Sequence, residues 1–343
     1  MWEHIPLNLD NKVEGTIRLI VQPGYLGVDL FFVLSGFLIT RILLVDKEQG
    51  VPLRFFLMRR LLRIFPIYYL TLFVVFLWRG GPELVWCAAY LSNFWLAFNS
   101  IATPLGHTWS LAVEEHYYLL WPLAVYLLSR RKSFLLASVV LIPVAIAAGF
   151  YANYYFAPNY QLKNVSAARD FIQYGTVFRM LSLSLGAVLA YCETALRKSG
   201  WRTLLLALTI GIGGYYFVWY SGFHPLFGAP NRAWLPAAWL VGFSAISTGW
   251  VLLALSLHLI GHGPQRLLSN APLRAIGRIS YGLYLYHYPI YFALDLPKYR
   301  GGQGAPVSLL LLAVGLTFLT ATISYQFIER PILRIQQRYR AKA

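Results

Sequence analysis

Residues 107–122 read His107-Thr-Trp-Ser-Leu-Ala-Val-Glu-Glu-His-Tyr-Tyr-Leu-Leu-Trp-Pro122 and place two adjacent acids in a segment that is otherwise apolar enough for a lipid bilayer. An ionised carboxylate in hydrocarbon is costly. Such residues therefore usually face the interior of a helix bundle or a wet cavity, where they serve a function. We expect at least one of Glu114 and Glu115 to be functional. A simpler interpretation is that both acids only neutralise basic residues of another helix.

Helical spacing sorts the polar residues of this segment into two directions. Neighbours three and four apart line up on one face, and that face carries His107, Ser110, Glu114 and Tyr118. Glu115 points about 100° away from it. One acid can therefore face a cavity while the other pairs with a neighbouring helix, and the sequence leaves open which acid does which.

The composition is typical of an all-α, polytopic membrane protein. Of the 343 residues, 58% are hydrophobic and only 12% are charged, whereas a soluble domain has about 25% charged residues. Aromatic residues make up 17%, which suits belts at the membrane interfaces. The net charge is +16, but the basic residues cluster at the ends of apolar runs. That placement favours membrane topology and contact with anionic lipids over nucleic-acid binding.

The apolar runs predict a transmembrane helix bundle with about nine full spans. One span follows the arginines at 59–63 and ends near residue 78, and the others are 24–44, 109–129, 134–153, 173–193, 203–220, 235–259, 278–297 and 306–327. The run at 84–98 is too short for a full crossing and predicts a partial or re-entrant element.

The positive-inside rule supports this count. Basic clusters lie at 54–63, 130–132, 197–202, 266–278 and 330–342. All of them fall in the cytoplasm, together with the C-terminus, only if 84–98 does not cross completely. Residues 1–23 then lie outside, although they contain no signal-peptide pattern. We therefore expect a further helix upstream and a complete bundle of about ten helices. The predicted regions are a polar N-terminal segment (1–23), a membrane domain (24–332) and a basic tail (333–343).

Three groups of polar residues could carry chemistry. Arg59, Arg60 and Arg63 begin a span and can bind phosphates, because guanidinium groups contact phosphate oxygens in pairs; they could equally serve only topology. The second group surrounds the two acids and includes His107 and His116. The third lies at 280–289, where His287 has the features of a core histidine.

A phosphate site that leads to an intramembrane acid–histidine cavity suits group transfer from a cytoplasmic phosphorylated donor to an acceptor across the membrane. The sequence contains no P-loop and no metal-ligand cluster. We expect Cys87 and Cys192, which lie in apolar surroundings, to be packing residues.

Five blocks of sequence resemble the acyltransferase family 3 integral membrane proteins. In order they are Gly27-Val-Asp-Leu-Phe-Phe-Val-Leu-Ser-Gly-Phe-Leu-Ile39, Arg59-Arg-Leu-Leu-Arg-Ile-Phe-Pro-Ile-Tyr68, His107-Thr-Trp-Ser-Leu-Ala-Val-Glu-Glu-His-Tyr117, Ile279-Ser-Tyr-Gly-Leu-Tyr-Leu-Tyr-His-Tyr-Pro289 and Phe327-Ile-Glu-Arg-Pro-Ile332. The resemblance implies O-acylation of a carbohydrate or cell-surface glycan in a bacterial inner membrane. The acyl group, often acetyl, would come from cytoplasmic acyl-coenzyme A (acyl-CoA) as a substrate, with no bound cofactor or metal.

The resemblance also implies roles for individual residues. Arg59, Arg60 and Arg63 would hold the donor phosphates, and Asp29 would hold one of those arginines in place. Glu114 or Glu115 would orient the general-base histidine and stabilise its cationic form. Ser35, Tyr68 and His287 lie in the matching blocks and would support the site.

One departure from the family concerns the general base. In family members this histidine lies on a first helix that precedes the blocks found here, and His4 matches no motif position. Either the true start lies upstream or the copy is truncated and inactive. In this chain His107 and His116 are the first candidates for the base.

Two other function classes stay open. A transporter or flippase would use the buried charges as its pathway, although the chain shows no internal repeat of the kind found in many transporters. A catalytically inactive relative would bind polysaccharide or partner enzymes without turnover.

Overall fold

The computed structural model describes residues 24–99, 102–156, 170–223, 235–256, 269–299 and 305–341. Helices make up nearly all of these residues, and no strand occurs among them. The prediction of an all-α, polytopic helix bundle is confirmed. The predicted polar segment 1–23, including His4, lies outside the described residues.

Thirteen α-helices can be numbered along the described chain. They are α1 (Gly24–Glu48), α2 (Leu53–Trp78), α3 (Glu83–Ala88), α4 (Ser92–Asn99), α5 (Trp109–Leu127), α6 (Arg130–Leu135), α7 (Ile142–Phe156), α8 (Thr176–Ser199), α9 (Trp201–Phe223), α10 (Leu235–Ser256), α11 (Ala271–Ala293), α12 (Val307–Ser324) and α13 (Arg330–Ala341). Short 3₁₀ turns occur at Gly106–Thr108 and Leu296–Tyr299. π-helical segments at Leu136–Leu141 and Tyr325–Glu329 join α6 to α7 and α12 to α13.

Six helical stretches are long and apolar enough to cross a membrane. They are Leu26–Glu48, Leu53–Trp78, Arg130–Ala152, Thr176–Ser199, Trp201–Val218 and Val307–Ile335. The three remaining predicted spans coincide with α5, α10 and α11. Many large apolar side chains on the outer faces are exposed, including Phe73 and Leu77 on α2 and Leu119 and Leu127 on α5. This is the arrangement expected of surfaces that face lipid.

The run at 84–98 forms two short helices rather than a span. At 1.5 Å per residue, α3 and α4 are each about 9–12 Å long, far less than the bilayer core of about 30 Å. The chain breaks at Tyr90, which has a positive φ of 55°. Tyr68 donates a hydrogen bond from its hydroxyl to the carbonyl of Cys87 at 2.8 Å and stacks on Tyr90 at 4.4 Å between ring centroids. The expected partial element therefore packs against α2.

Helices α1 and α8 approach each other closely through two glycines. A Cβ atom at Gly36 would collide with the backbone carbonyl of Leu183, and one at Gly186 would collide with the carbonyl of Val33. Small residues allow this close approach between membrane helices. The sequence predicted this role for the Ser35-Gly36 pair.

Helix α5 lies against α1, α4 and α8, and its two ends are fixed differently. At its C-terminal end, Lys47 of α1 donates hydrogen bonds to the carbonyls of Val125 (2.7 Å), Tyr126 (3.2 Å) and Leu128 (2.8 Å). These carbonyls have no partner within the helix, and a lysine satisfies them. Arg130 pairs with Glu48 nearby at 2.6 Å. We call this end of the bundle the basic end.

Candidate active site

A buried ion pair joins α2 to α5. The Nη2 atom of Arg60 lies 3.5 Å from Oε1 of Glu114, and the two side chains are 20% and 5% exposed. The guanidinium group also stacks over the ring of Tyr118, with its central carbon 3.3 Å from the ring centroid. Tyr118 follows Glu114 by one helical turn, so both side chains contact Arg60 from the same face of α5.

Helix α1 completes this arrangement through Ser35. Its hydroxyl donates a hydrogen bond to the Glu114 carboxylate and also shares a hydrogen bond with the Tyr118 hydroxyl. Ser35, Arg60, Glu114 and Tyr118 together form what we call the central cluster. Three helices therefore converge on one carboxylate inside the bundle, and the shared face predicted for Glu114 and Tyr118 is present.

The two adjacent acids have different surroundings. Glu114 pairs with neighbouring helices, whereas Glu115 is half-buried and makes no hydrogen bond or ion pair with any described residue. This is the divergence that the helical spacing indicates. The next residue, His116, contacts α8, with its Nδ1 atom 2.8 Å from the Thr176 hydroxyl.

The three arginines of α2 lie in three different settings. Arg59 forms an ion pair with Asp46 at the basic end. Arg60 belongs to the central cluster, and Arg63 lines an open cavity. Arg60 and Arg63 are three residues apart and so lie on neighbouring parts of one helix surface. The structure therefore brings Arg63 close to the central cluster and directs Arg59 to another carboxylate.

The cavity beside Arg63 has a volume of about 690 Å³. It lies between α2, α11 and the segment that joins α12 to α13. Its polar lining residues are Arg63, Arg274, Arg278, Tyr281, Tyr325 and Glu329. Tyr281 connects two of its walls, because its hydroxyl on α11 donates a hydrogen bond to the Ile64 carbonyl of α2 at 3.4 Å. A cavity of this size can hold a small molecule.

The structure corrects the role expected for Asp29. This residue does not hold an arginine of α2. Its carboxylate instead receives two contacts of 3.2 Å from Nη1 of Arg179 on α8 and a hydrogen bond of 2.7 Å from the Ser182 hydroxyl. Arg179 also donates from Nε to the carbonyl of Gln173 at 2.7 Å. This ion pair joins α1 to α8, next to their close glycine contact.

His107 lies at some distance from the central cluster. It belongs to the 3₁₀ turn before α5, and the seven residues that separate it from Glu114 span about 10 Å along the helix. Its Nε2 atom donates to the Leu285 carbonyl at 3.1 Å, and its ring lies 5.0 Å from that of His287. His287 is also buried, with Nδ1 2.5 Å from the carbonyl of Tyr284. Both histidines therefore join the start of α5 to α11.

Sequence reasoning missed four residues that the structure makes prominent. Arg179 had only the weak signal of a single arginine inside a predicted span. Arg274 and Arg278 lay in a basic cluster that was read as topological, although their spacing of four residues was visible. Glu329 lay in the block Phe327-Ile-Glu-Arg-Pro-Ile332, but nothing in the sequence indicates what it faces.

A family model described as an acyltransferase domain matches residues 4–328 of this chain. The chain belongs to this acyltransferase family, as the sequence resemblance implied. The apolar helices and the family together identify a multi-pass membrane protein. No solved structure matches the chain.

Curated relatives of this chain include three bacterial proteins named as O-acetyltransferases. The O-acetyltransferase OatA of Staphylococcus aureus (strain NCTC 8325 / PS 47) is 34% identical over 337 residues, which cover 90% of this chain and 52% of the relative. The peptidoglycan O-acetyltransferase OatA of Listeria monocytogenes is 32% identical over 331 residues, 90% of this chain and 51% of the relative. The putative peptidoglycan O-acetyltransferase YrhL of Bacillus subtilis is 31% identical over 351 residues, with 90% and 50% covered. The chain thus spans about half the length of these relatives.

Proposed function

We propose that this chain is a membrane-bound O-acyltransferase. It moves an acyl group, with acetyl as the first choice, from cytoplasmic acyl-CoA to a hydroxyl of a cell-surface glycan. The observation that carries the proposal is the central cluster, a buried arginine–carboxylate pair one helical turn from the arginine-lined cavity. The family and the names of the relatives support acyl transfer, and those names favour peptidoglycan as the acceptor.

The donor side of the reaction requires positive charge. The donor carries several phosphate groups, and one guanidinium group can donate two parallel hydrogen bonds to phosphate oxygens. Arg63 can contact these phosphates from the cavity, next to Arg60. Positive charges clustered at the ends of spans favour the cytoplasmic side for this end of the bundle. We place the donor cavity and the C-terminus on that side of a bacterial inner membrane.

The chemical step exchanges one acyl bond for another. The acceptor oxygen attacks the thioester carbonyl carbon, a C–O bond forms, and the C–S bond breaks. The hydroxyl proton passes to a general base, and the thiolate leaves and takes up a proton. Proton transfer of this kind contributes about 10²–10⁴-fold to the rate. Among the described residues, the sequence offers His107 and His116 for this role.

The central cluster would supply electrostatic stabilisation. Negative charge develops on the thioester oxygen as the acceptor attacks, and a fixed cation in a dry site stabilises such charge. Glu114 and Tyr118 hold the Arg60 guanidinium in one orientation. The roles of Ser35 and Glu114 in this proposal are to position Arg60.

The proposal is tested by transfer of label from acetyl-CoA. Membranes that contain the chain are incubated with labelled acetyl-CoA and peptidoglycan fragments, and the label in the glycan is measured. We expect transfer that depends on the chain and that falls about 10²-fold in Glu114→Gln at equal protein abundance. Glycan uptake or flipping without donor turnover would overturn the proposal in favour of a transporter.

A further inference from the structure

The cavity beside α2 presents an excess of positive charge. Arg274 and Arg278 are four residues apart on α11, so they project from one face, and Arg63 faces them from α2. Within the described ranges, none of these three guanidinium groups has a carboxylate within ion-pair distance. Among the lining residues these three cations face a single carboxylate, Glu329, and the excess of positive charge predicts a ligand with several negative charges.

The same cavity also presents a buried acceptor. Glu329 is only 7% exposed, and its Oε1 atom has no hydrogen-bond partner among the residues that the structure describes. The π-helical segment Tyr325–Glu329 ends at this residue, and such segments often occur at functional sites. Gly282 of α11 makes room for the carboxylate, because a Cβ atom there would lie 3.3 Å from Oε1. A buried carboxylate oxygen without a partner is costly, and a ligand that donates a hydrogen bond would satisfy it.

We propose that this cavity binds the nucleotide end of acyl-CoA. Arg63, Arg274 and Arg278 contact its phosphates, and Glu329 accepts a hydrogen bond from the ribose hydroxyl or the amino group of the base. This inference rests on the proposed function and assigns the donor-binding role to α11 and to the segment before α13, in addition to α2. The volume of about 690 Å³ suits a ligand of this size.

Two features favour a nucleotide over a simple phosphate. Tyr281 and Tyr325 line the cavity, and aromatic rings stack on nucleotide bases. Glu329 would repel a phosphate but accept a hydrogen bond from a hydroxyl or an amine. A lipid headgroup shares the phosphate chemistry, so the test must separate the two sources.

The binding test uses the full chain in nanodiscs of phosphatidylcholine. We expect calorimetry to show that CoA binds, that 3′-dephospho-CoA binds more weakly, and that pantetheine does not bind. Arg274→Gln and Arg278→Gln should each weaken CoA binding about tenfold, because each removes a charge-assisted contact. Arg330→Gln and Arg334→Gln are matched controls, since both arginines are exposed on α13 outside the cavity and should leave the affinity unchanged. Equal effects at all four positions would overturn the assignment.

Glu329→Ala separates a hydrogen bond from simple charge repulsion. We expect it to weaken CoA binding about threefold, as loss of one hydrogen bond would do. The same variant should leave binding of pyrophosphate unchanged or stronger, because pyrophosphate has no group that needs the carboxylate. Stronger binding of both ligands would mean that Glu329 only repels anions, and its proposed role would fail.

Two further measurements separate the possible failures. If 20% phosphatidylglycerol in the nanodiscs abolishes CoA binding, the cavity is a lipid site and the inference is overturned. If the wild-type chain transfers acyl groups but Arg274→Gln and Arg278→Gln leave the KM for acyl-CoA unchanged, the inference fails and the proposed function stands. If CoA binds through these arginines but no acyl group is transferred under any condition, the proposed function fails instead.

Discussion

Two of the arginine–carboxylate pairs among the described residues have a carboxylate that is at most 5% exposed, and they differ in how completely their polar atoms are satisfied. In the pair between Asp29 and Arg179, both side chains are at most 8% exposed, and both carboxylate oxygens contact the guanidinium group. In the pair between Arg60 and Glu114, the arginine is 20% exposed, the single contact is 3.5 Å, and its Nε atom has no partner.

This difference distinguishes a structural contact from a candidate site. The pair of α1 and α8 has further hydrogen bonds from Ser182 and to the Gln173 carbonyl, so both Asp29 oxygens and the Nε and Nη1 atoms of Arg179 already have partners. In the pair of α2 and α5, Arg60 keeps partial exposure to solvent. Arg63, one turn further along α2, lines the cavity. An intramembrane charge is a functional candidate by default, and we expect that role for the incompletely satisfied pair.

We expect the largest effect, a loss of stability, when the pair between Asp29 and Arg179 is broken. Asp29→Ala would leave Arg179 as a buried, unpaired charge, and removal of one partner of such a pair costs about 3–5 kcal/mol. We expect a large fall in folded protein and in the thermal unfolding midpoint in detergent. The double variant Asp29→Leu/Arg179→Met should regain much of that stability, because it removes both charges. An unchanged midpoint in Asp29→Ala would contradict a structural role.

The next largest effect is a fall in the transfer rate when the central cluster is changed. Glu114→Gln removes the charge that orients Arg60, and we expect the transfer rate to fall about 10²-fold. The unfolding midpoint should change little, because Arg60 retains its contact with the Tyr118 ring and partial access to solvent. Glu115→Gln is the matched control, since it makes the same chemical change one residue away without an ion pair. A larger loss in Glu115→Gln would exchange the roles of the two acids.

A smaller effect is expected on donor binding. Arg63→Ala should raise the KM for acyl-CoA about tenfold with little change in kcat, because it removes binding that is present before the reaction. Arg59→Ala provides the comparison, since Arg59 pairs with Asp46. Similar rises in KM for both variants would restore the single three-arginine phosphate site that the sequence suggested.

The smallest effect is expected at Tyr118. Tyr118→Phe removes the hydroxyl that bonds to Ser35 but keeps the ring under Arg60. We expect a loss of about 1 kcal/mol in stability, the usual net value of one hydrogen bond, and a modest fall in transfer rate. Tyr118→Leu also removes the cation–π contact and should have the larger effect on rate. Equal rates in the two variants would show that the ring contributes nothing to the orientation of Arg60.

Much of the fold was predictable from the sequence because a membrane helix is recognised from a continuous run of apolar residues. The apolar runs indicated the positions of the long helices. The shortness of the run at 84–98 indicated a partial or re-entrant element, and the structure has the short helices α3 and α4 there. The spacing of Glu114 and Tyr118 predicted their shared face. These properties depend on neighbours a few residues apart, within the reach of helical periodicity.

The partners of the buried charges were not predictable in the same way. Asp29 was expected to hold an arginine of α2, but its partner Arg179 lies 150 residues further along the chain. Either Arg179 or an arginine of α2 could balance the charge of Asp29, and no local sequence pattern shows which of them does so. The cavity likewise forms where α11 and the segment before α13 pack near α2. The order of the helices along the chain does not specify this packing.

The sequence by itself determined that this chain is a helical membrane protein of an acyltransferase family and that its polar residues concentrate in a few blocks. Hydrophobic burial and helical periodicity are local properties, so a single sequence is enough to read them. Only the tertiary structure decided that Arg179 satisfies Asp29, that Arg60 holds Glu114, and that Glu329 faces the arginine-lined cavity. Ion pairs and hydrogen bonds require atoms within a few ångströms, and that proximity is set by how distant helices pack.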